Sequence, residues 1–125
     1  MTENEISYKI RGAIFKVFKN LGPGLLESVY VVALQFELKK EGLRVLKNVP
    51  VPVYYEKEKL EVGFRIDLLI ENKVIIEVKS LENLVEIHHK QVITYLKLTG
   101  LKLGLLVNFN VDNIFTGIYR KVNGL

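Results

Sequence analysis

The chain has 125 residues, 49% of them hydrophobic and 26% charged, which is the length and composition of one domain with a substantial core. It has no cysteine, which excludes disulfides and cysteine-based zinc sites, and no apolar run of the roughly 18 residues that a membrane span needs. The net charge of +4 is compatible with a polyanionic partner without requiring one. We expect a single domain over residues 1–125, cytoplasmic and not associated with a membrane.

Two helices are predicted in the first third of the chain. Thr2 and Glu5 have the spacing of a capping box, and apolar residues then recur at helical spacing until the segment NLGPG, residues 20–24, ends the pattern. A second helix is predicted over about residues 25–40. Because its sequence is apolar on most sides, we expect it to be well buried.

Five strands and one helix are predicted for the rest of the chain. Residues 43–57 are rich in β-branched and aromatic residues, and two prolines favour an edge strand. Residues 60–70 alternate, with the apolar residues from Val62 to Ile70 on one face, and the turn ENK leads to the next strand. The later elements are a strand over residues 74–78, a helix over 82–100 and strands over 102–109 and 113–122. The predicted order is ααβββαββ, an α+β domain with helices on the faces of a sheet.

The two strands on either side of the ENK turn carry acidic residues on one face. If the turn is centred on Asn72, the apolar residues of the two strands match, and Asp67 then lies opposite Glu77. Two like charges about 5 Å apart repel by roughly 3 kcal/mol at an effective dielectric constant of about 20. A shared proton, a lysine or a divalent cation can offset this repulsion. Lys79 lies on the same face but cannot saturate four carboxylate oxygens, whereas Mg²⁺ favours such ligands.

The alternative for these residues is an ordinary surface cluster on the solvent face of a hairpin. A third carboxylate favours a site. Glu27 lies in the first turn of the second helix, on a row with Tyr30 and Leu34. A favourable charge at a helix N-terminus explains its position along the helix but not the face on which it lies. A third ligand directed at the hairpin explains both.

With these residues, the sequence resembles the PD-(D/E)XK nuclease superfamily, and more closely the family called GxxExxY. The naming motif stands here as GLLESVY, residues 24–30, and the core motif as Asp67, nine intervening residues, then EVK at 77–79. The downstream segment HHKQVITYLKLTGLKLGLLVNF is similar to that family's signature. Within it, Gln91 and Tyr95 are similar to the Gln-xxx-Tyr element of RecB-type nucleases.

The resemblance implies a restriction-endonuclease-like core, in which helices flank a mixed central sheet. It also implies Mg²⁺-dependent hydrolysis of phosphodiester bonds in DNA or RNA, with Mn²⁺ as a substitute. Asp67 and Glu77 would hold the metal, with the Val78 carbonyl as a further ligand. Glu27 would complete the shell or steer the attacking water, and Lys79 would orient that water or stabilise the charge on phosphorus.

The resemblance further implies contacts with nucleic acid. Gln91 would touch the nucleic-acid backbone or the periphery of the metal site, and Tyr95 would support it, although core packing is the alternative for Tyr95. Arg65 and Arg120 are candidates for phosphate contacts. The rival function is a catalytically silent nucleic-acid-binding or adaptor domain that keeps the fold. A homodimer is a further expectation, because a module of this size grips only a short duplex alone.

Overall fold

Three α-helices and seven strands make up the computed structural model, which describes all 125 residues. The helices are α1 (Glu3–Leu21), α2 (Glu27–Lys40) and α3 (Glu86–Thr99). Helix α1 begins at the predicted capping box, since the Thr2 hydroxyl accepts from the Glu5 amide (3.2 Å) and the Glu5 carboxylate accepts from the Thr2 amide (3.0 Å). None of the helices combines the length and the hydropathy that crossing a bilayer requires.

Five of the strands form a mixed sheet in the order β1-β4-β5-β6-β7. Strands β5 and β6 run parallel, and the other neighbours in this sheet are antiparallel. The remaining two strands, β2 and β3, form a separate hairpin. The strands are β1 (Val45–Val51), β2 (Tyr54–Tyr55), β3 (Glu58–Lys59), β4 (Phe64–Ile70), β5 (Val74–Lys79), β6 (Leu103–Asn108) and β7 (Ile118–Val122).

The helices cover both faces of the sheet. Helices α1 and α2 bury one face, where a core of 21 residues includes Leu68, Ile76 and Leu105 of three adjacent strands. Ile75 points to the opposite face and packs with Leu96 of α3 in a smaller cluster. This arrangement confirms the predicted fold class, an α+β domain with a mixed central sheet flanked by helices.

The region predicted as one strand over residues 43–57 is divided in the structure. Strand β1 ends at Val51, and Pro52, which has no amide hydrogen, follows it. The chain then forms the β2–β3 hairpin, whose turn residues Glu56 and Lys57 have φ angles of 50° and 69°. Such left-handed values are those of a tight two-residue hairpin turn. The predicted order ααβββαββ therefore lacked this hairpin.

Two predicted strands begin later in the structure than in the prediction. Residues 60–63 lie outside β4, which starts at Phe64. Residues 113–117 were assigned to the last strand, but Ile114–Gly117 form a 3-10 helix that precedes β7.

The expectation that α2 is well buried was wrong. Tyr30, Leu34 and Leu38 are fully buried, whereas Leu26 is 75% exposed and Phe36 62% exposed. Since α2 packs against the rest of the fold on one side only, the apolar residues on its other side are left at the surface.

Candidate active site

Strands β4 and β5 pair in the predicted register, with Leu68 opposite Ile76. Beyond this pair, side chains take the place of backbone hydrogen bonds. The Asp67 amide donates to Glu77 Oε1 (3.2 Å), and the Val78 amide donates to Asp67 Oδ2 (2.8 Å). Each acid is thus tied to the backbone of the opposite strand, and the two carboxylates occupy the same gap between the strands.

The predicted alternation of apolar residues in β4 fails at this point. Leu68 belongs to the larger core, but Ile66 belongs to the smaller cluster under α3, and Phe64 packs against that cluster. The pairing of β1 with β4 is also interrupted here, because Asn48, the residue across from Asp67, has a φ of 54°. The break in both ladders lets the first half of β4 present its apolar side chains to the other face.

The charge of the pair is not neutralised by a neighbouring cation. Glu77 is only 4% exposed. Its burial, and then the negative charge of Asp67, raise the pKa of Glu77 from an ordinary 4.5 to about 8, although the charge of Lys79 opposes the rise. The ion pairs of the molecule lie elsewhere, on Glu37 and Glu41 of the α1–α2 face. The pair therefore consists of a buried Glu77 and a half-buried Asp67, and it lacks a direct counter-charge.

Glu27, the first residue of α2, lies at the end of β5. Its Oε1 accepts a long hydrogen bond, 3.4 Å, from the amide of Ser80, the residue after Lys79. No group of three His, Asp or Glu side chains is arranged to hold a metal ion. The structure therefore brings Glu27 to the edge of the site without joining it to the Asp67–Glu77 pair in one cluster.

The donor set of the pair fits a hard divalent cation. One oxygen of each carboxylate accepts from a backbone amide, and the other accepts from no N–H group of the protein. Two such oxygens, on two neighbouring acids, match the preference of Mg²⁺ for one or two carboxylates completed by water and phosphate oxygens. Asp67 and Glu77 are the residues that can hold such an ion.

Tyr95 and Gln91 lie on α3, which covers this face of the sheet. The Tyr95 ring stacks on Phe64, with centroids 4.0 Å apart and planes 10° apart. Burial raises the pKa of Tyr95, and the charges of Glu77 and Asp67 add to the rise. Tyr95 therefore packs in the smaller cluster within electrostatic reach of the acids. Gln91, one turn earlier, is half-buried.

The two arginines differ in their relation to the acids. Arg65 is exposed on β4, two residues before Asp67, and donates to the Asn48 carbonyl (3.2 Å). Arg120 pairs with a β6 residue whose side chain lies in the core under α1 and α2, and its guanidinium donates to Asn4 Oδ1 (2.8 Å). Because Glu77 faces the opposite side of the sheet, Arg120 is not brought to the acids.

Sequence reasoning missed two polar residues at the edge of the site. Asn108 is 3% exposed and hydrogen-bonds the backbone of Leu81. Ser80 contacts the start of α2 through its hydroxyl. Asn108 could have been identified from the sequence, because it is the one polar side chain of an otherwise apolar buried strand. Ser80 could not, because a serine after a strand is ordinary.

Comparisons with known proteins show the family and the fold of the chain. A family profile described as the PD-(D/E)XK nuclease superfamily matches residues 4–121. The solved structure titled "Crystal structure of SSO0001" is similar, with 26% sequence identity and a TM-score of 0.57 over 79% of this chain. The similarity covers 51% of that chain, so this chain spans about half its length. No curated protein sequence matches significantly.

Proposed function

The chain belongs to the PD-(D/E)XK nuclease superfamily, and from this membership we propose that it is a metal-dependent nuclease. It would hydrolyse phosphodiester bonds in DNA or RNA, with Mg²⁺ as its ion and Mn²⁺ as a substitute. The observation that carries the proposal is the buried Glu77 side chain beside Asp67, where one oxygen of each acid accepts from no N–H group and no cation lies at ion-pair distance. Assignment to the GxxExxY family, and a location in the cytoplasm, are parts of the same proposal.

The proposed roles follow from position. Asp67 and Glu77 would hold the ion, with the Val78 carbonyl as the further ligand. A bound divalent ion supplies Lewis acidity, which activates water and stabilises charge on the phosphate. Lys79 places a fixed positive charge beside the reacting phosphate. Glu27 steers the attacking water from the end of β5.

Substrate contacts form the outer part of the proposed site. The Gln91 amide contacts the nucleic-acid backbone, and Tyr95 supports α3 by stacking on Phe64. Arg65, exposed and two residues from Asp67, contacts a phosphate. A homodimer of the chain would extend the grip on duplex DNA, because two copies present two sites.

Titration of Mn²⁺ into the wild type, Asp67→Asn and Glu77→Gln, followed by cleavage assays on labelled DNA and RNA, tests this function. We expect both variants to lose measurable Mn²⁺ binding and cleavage together. The matched control is Asp112→Asn, at the only other aspartate, which is exposed and far along the chain from the pair.

The same assays separate the silent alternative. A wild type that binds nucleic acid without cutting it, and binds no Mn²⁺ below millimolar concentrations, would be a catalytically inactive binding or adaptor domain. Cleavage that persists in Glu77→Gln would place the chemistry elsewhere.

A further inference from the structure

The segment that follows β5 is joined to the start of α2 by two hydrogen bonds. The Ser80 hydroxyl donates to the Leu25 carbonyl (2.6 Å), and the Ser80 amide donates to Glu27 Oε1 (3.4 Å). Ser80 immediately follows Lys79. The helix that carries Glu27 is therefore anchored to the strand that carries Glu77 and Lys79.

Tyr30 holds the loop that leads into α2 in place from the core of the protein. Its ring is fully buried and stacks on Phe109, with centroids 4.2 Å apart and planes 4° apart. Its hydroxyl donates to the Gly22 carbonyl (2.6 Å) and accepts from the Leu25 amide (3.1 Å). Gly24, inside this loop, has a φ of 96°, which favours glycine. In GLLESVY, the glycine thus lies in this loop, and the glutamate and tyrosine lie in the first turn of α2, from which the Tyr30 hydroxyl bonds back to the loop.

Asn108 fixes the segment after β5 from the side of β6. Its Oδ1 accepts from the amides of Leu81 (3.0 Å) and Asn110 (3.2 Å), and its Nδ2 donates to the Leu81 carbonyl (2.9 Å). The Phe109 amide donates to the Lys79 carbonyl (2.9 Å). Since Phe109 also stacks on Tyr30, these contacts form a continuous ring around the end of β5.

We propose that the hydroxyls of Tyr30 and Ser80 are positioning groups that hold the Glu27 carboxylate at the end of β5, with Asn108 bracing the segment from β6. The proposal rests on the nuclease function proposed above, in which Glu27 acts on the attacking water. Glu27 is itself exposed and makes one long hydrogen bond. Its position therefore depends on the loop behind it, and a displacement of about 1 Å is enough to lower a reaction rate strongly.

Hydrogen exchange of single amides tests the ring without requiring cleavage. Tyr30→Phe keeps the stacking on Phe109 and removes both hydroxyl bonds. We expect it to raise the exchange rate of the Ser80 amide by roughly tenfold and to leave the Ile76 amide in the sheet unchanged. Tyr8→Phe, at a tyrosine that is 81% exposed, is the matched control and should change neither. An unchanged Ser80 rate in Tyr30→Phe would overturn the proposal.

A double-mutant cycle with Glu27→Gln tests the link to function. If Tyr30 acts through Glu27, Tyr30→Phe lowers the cleavage rate by roughly tenfold in the wild type and by less than about twofold in Glu27→Gln. Equal losses in both backgrounds would show a general structural effect and overturn the proposal. If Tyr30→Phe does not fold, Ser80→Ala, which removes the single bond to Leu25, takes its place in both experiments.

The two readouts also separate this inference from the nuclease proposal. If the chain cuts no substrate but Tyr30→Phe raises the exchange rate of the Ser80 amide, the positioning role is supported and the nuclease function is contradicted. If the chain cuts substrate but Tyr30→Phe leaves the exchange rate of the Ser80 amide unchanged, the nuclease function is supported and the positioning role is contradicted.

Discussion

Glu77 is the residue with the most unusual environment in the molecule. A carboxylate that loses contact with water and faces a second carboxylate is stabilised in its protonated form. This explains why its pKa rises to about 8 when no cation is present. A bound divalent ion would reverse the balance, because it favours the ionised form of both acids.

The stability of the metal-free protein should depend on pH through this residue. Folded Glu77 keeps its proton between about pH 4.5 and about pH 8, where the unfolded chain has released it. The free energy of unfolding therefore falls as pH rises through this interval. Glu77→Gln removes this contribution, and we expect it to be more stable than the wild type above about pH 8 by on the order of 2 kcal/mol. Urea denaturation with chelator at several pH values measures the difference.

The control for this prediction is Glu58→Gln, at an exposed glutamate of the β2–β3 hairpin, which should follow the wild type at every pH. If the free energy of unfolding depended on pH in the same way for the wild type and Glu77→Gln, the prediction would be contradicted.

Lys79 should be separable from metal binding. It is half-buried and forms no ion pair, so its charge is available to a phosphate. We expect Lys79→Ala to keep Mn²⁺ affinity within about threefold and to lower the cleavage rate by about a hundredfold or more. Lys102→Ala, at an exposed lysine, is the control. Full activity of Lys79→Ala would remove this residue from the mechanism.

Individual elements show which sequence patterns were informative. The register of β4 with β5 was predictable, because only one pairing places apolar residues opposite each other. The change of face within β4 was not, since it depends on bonds from the Asp67 and Glu77 side chains to backbone amides. The alternation of apolar and polar residues does not predict such hydrogen bonds. The row of Glu27 on the helix predicted the direction of its side chain toward the β4–β5 hairpin. It did not predict the hydrogen bond to the Ser80 amide.

Two glycines should respond in opposite ways to alanine. A Cβ at Gly63, before β4, would collide with the Val51 carbonyl oxygen of β1, so Gly63→Ala should destabilise the fold by about 1–3 kcal/mol. A Cβ at Gly12, inside α1, meets nothing within 4 Å, so Gly12→Ala should stabilise it by about 0.5–1 kcal/mol. Thermal or urea denaturation measures both. Equal shifts of the same sign would contradict the structure.

The two faces of the sheet differ in the helices that cover them. Helices α1 and α2 supply most of the core, and α3 covers the face that carries Glu77. The class of fold and the mixed sheet were predictable from the order of the elements and the family resemblance. The β2–β3 hairpin was not, because its two tyrosines continue the strand-like pattern of β1 without a break. The exposed side of α2 was not, because its residues are as apolar as those of a buried helix.

Binding of nucleic acid by the whole molecule should depend on salt. The chain carries a net charge of +4, and phosphate contacts by a few cationic side chains release counterions. We expect the affinity of Glu77→Gln for a labelled single-stranded oligonucleotide to fall by roughly 10- to 100-fold between about 50 and about 200 mM NaCl. Fluorescence anisotropy without divalent ions measures this. An affinity that does not change with salt would argue against phosphate contacts.

The bonds from Asp67 and Glu77 to the amides of the facing strands have a practical consequence for mutagenesis. The same two side chains serve the architecture and the proposed reaction, so shortening either one also strips a main-chain amide of its acceptor. An alanine scan would report misfolding and lost turnover as one phenotype. Only replacements of equal shape, asparagine for Asp67 and glutamine for Glu77, leave an oxygen that can accept from that amide. These variants therefore separate a loss of cleavage from a loss of folding.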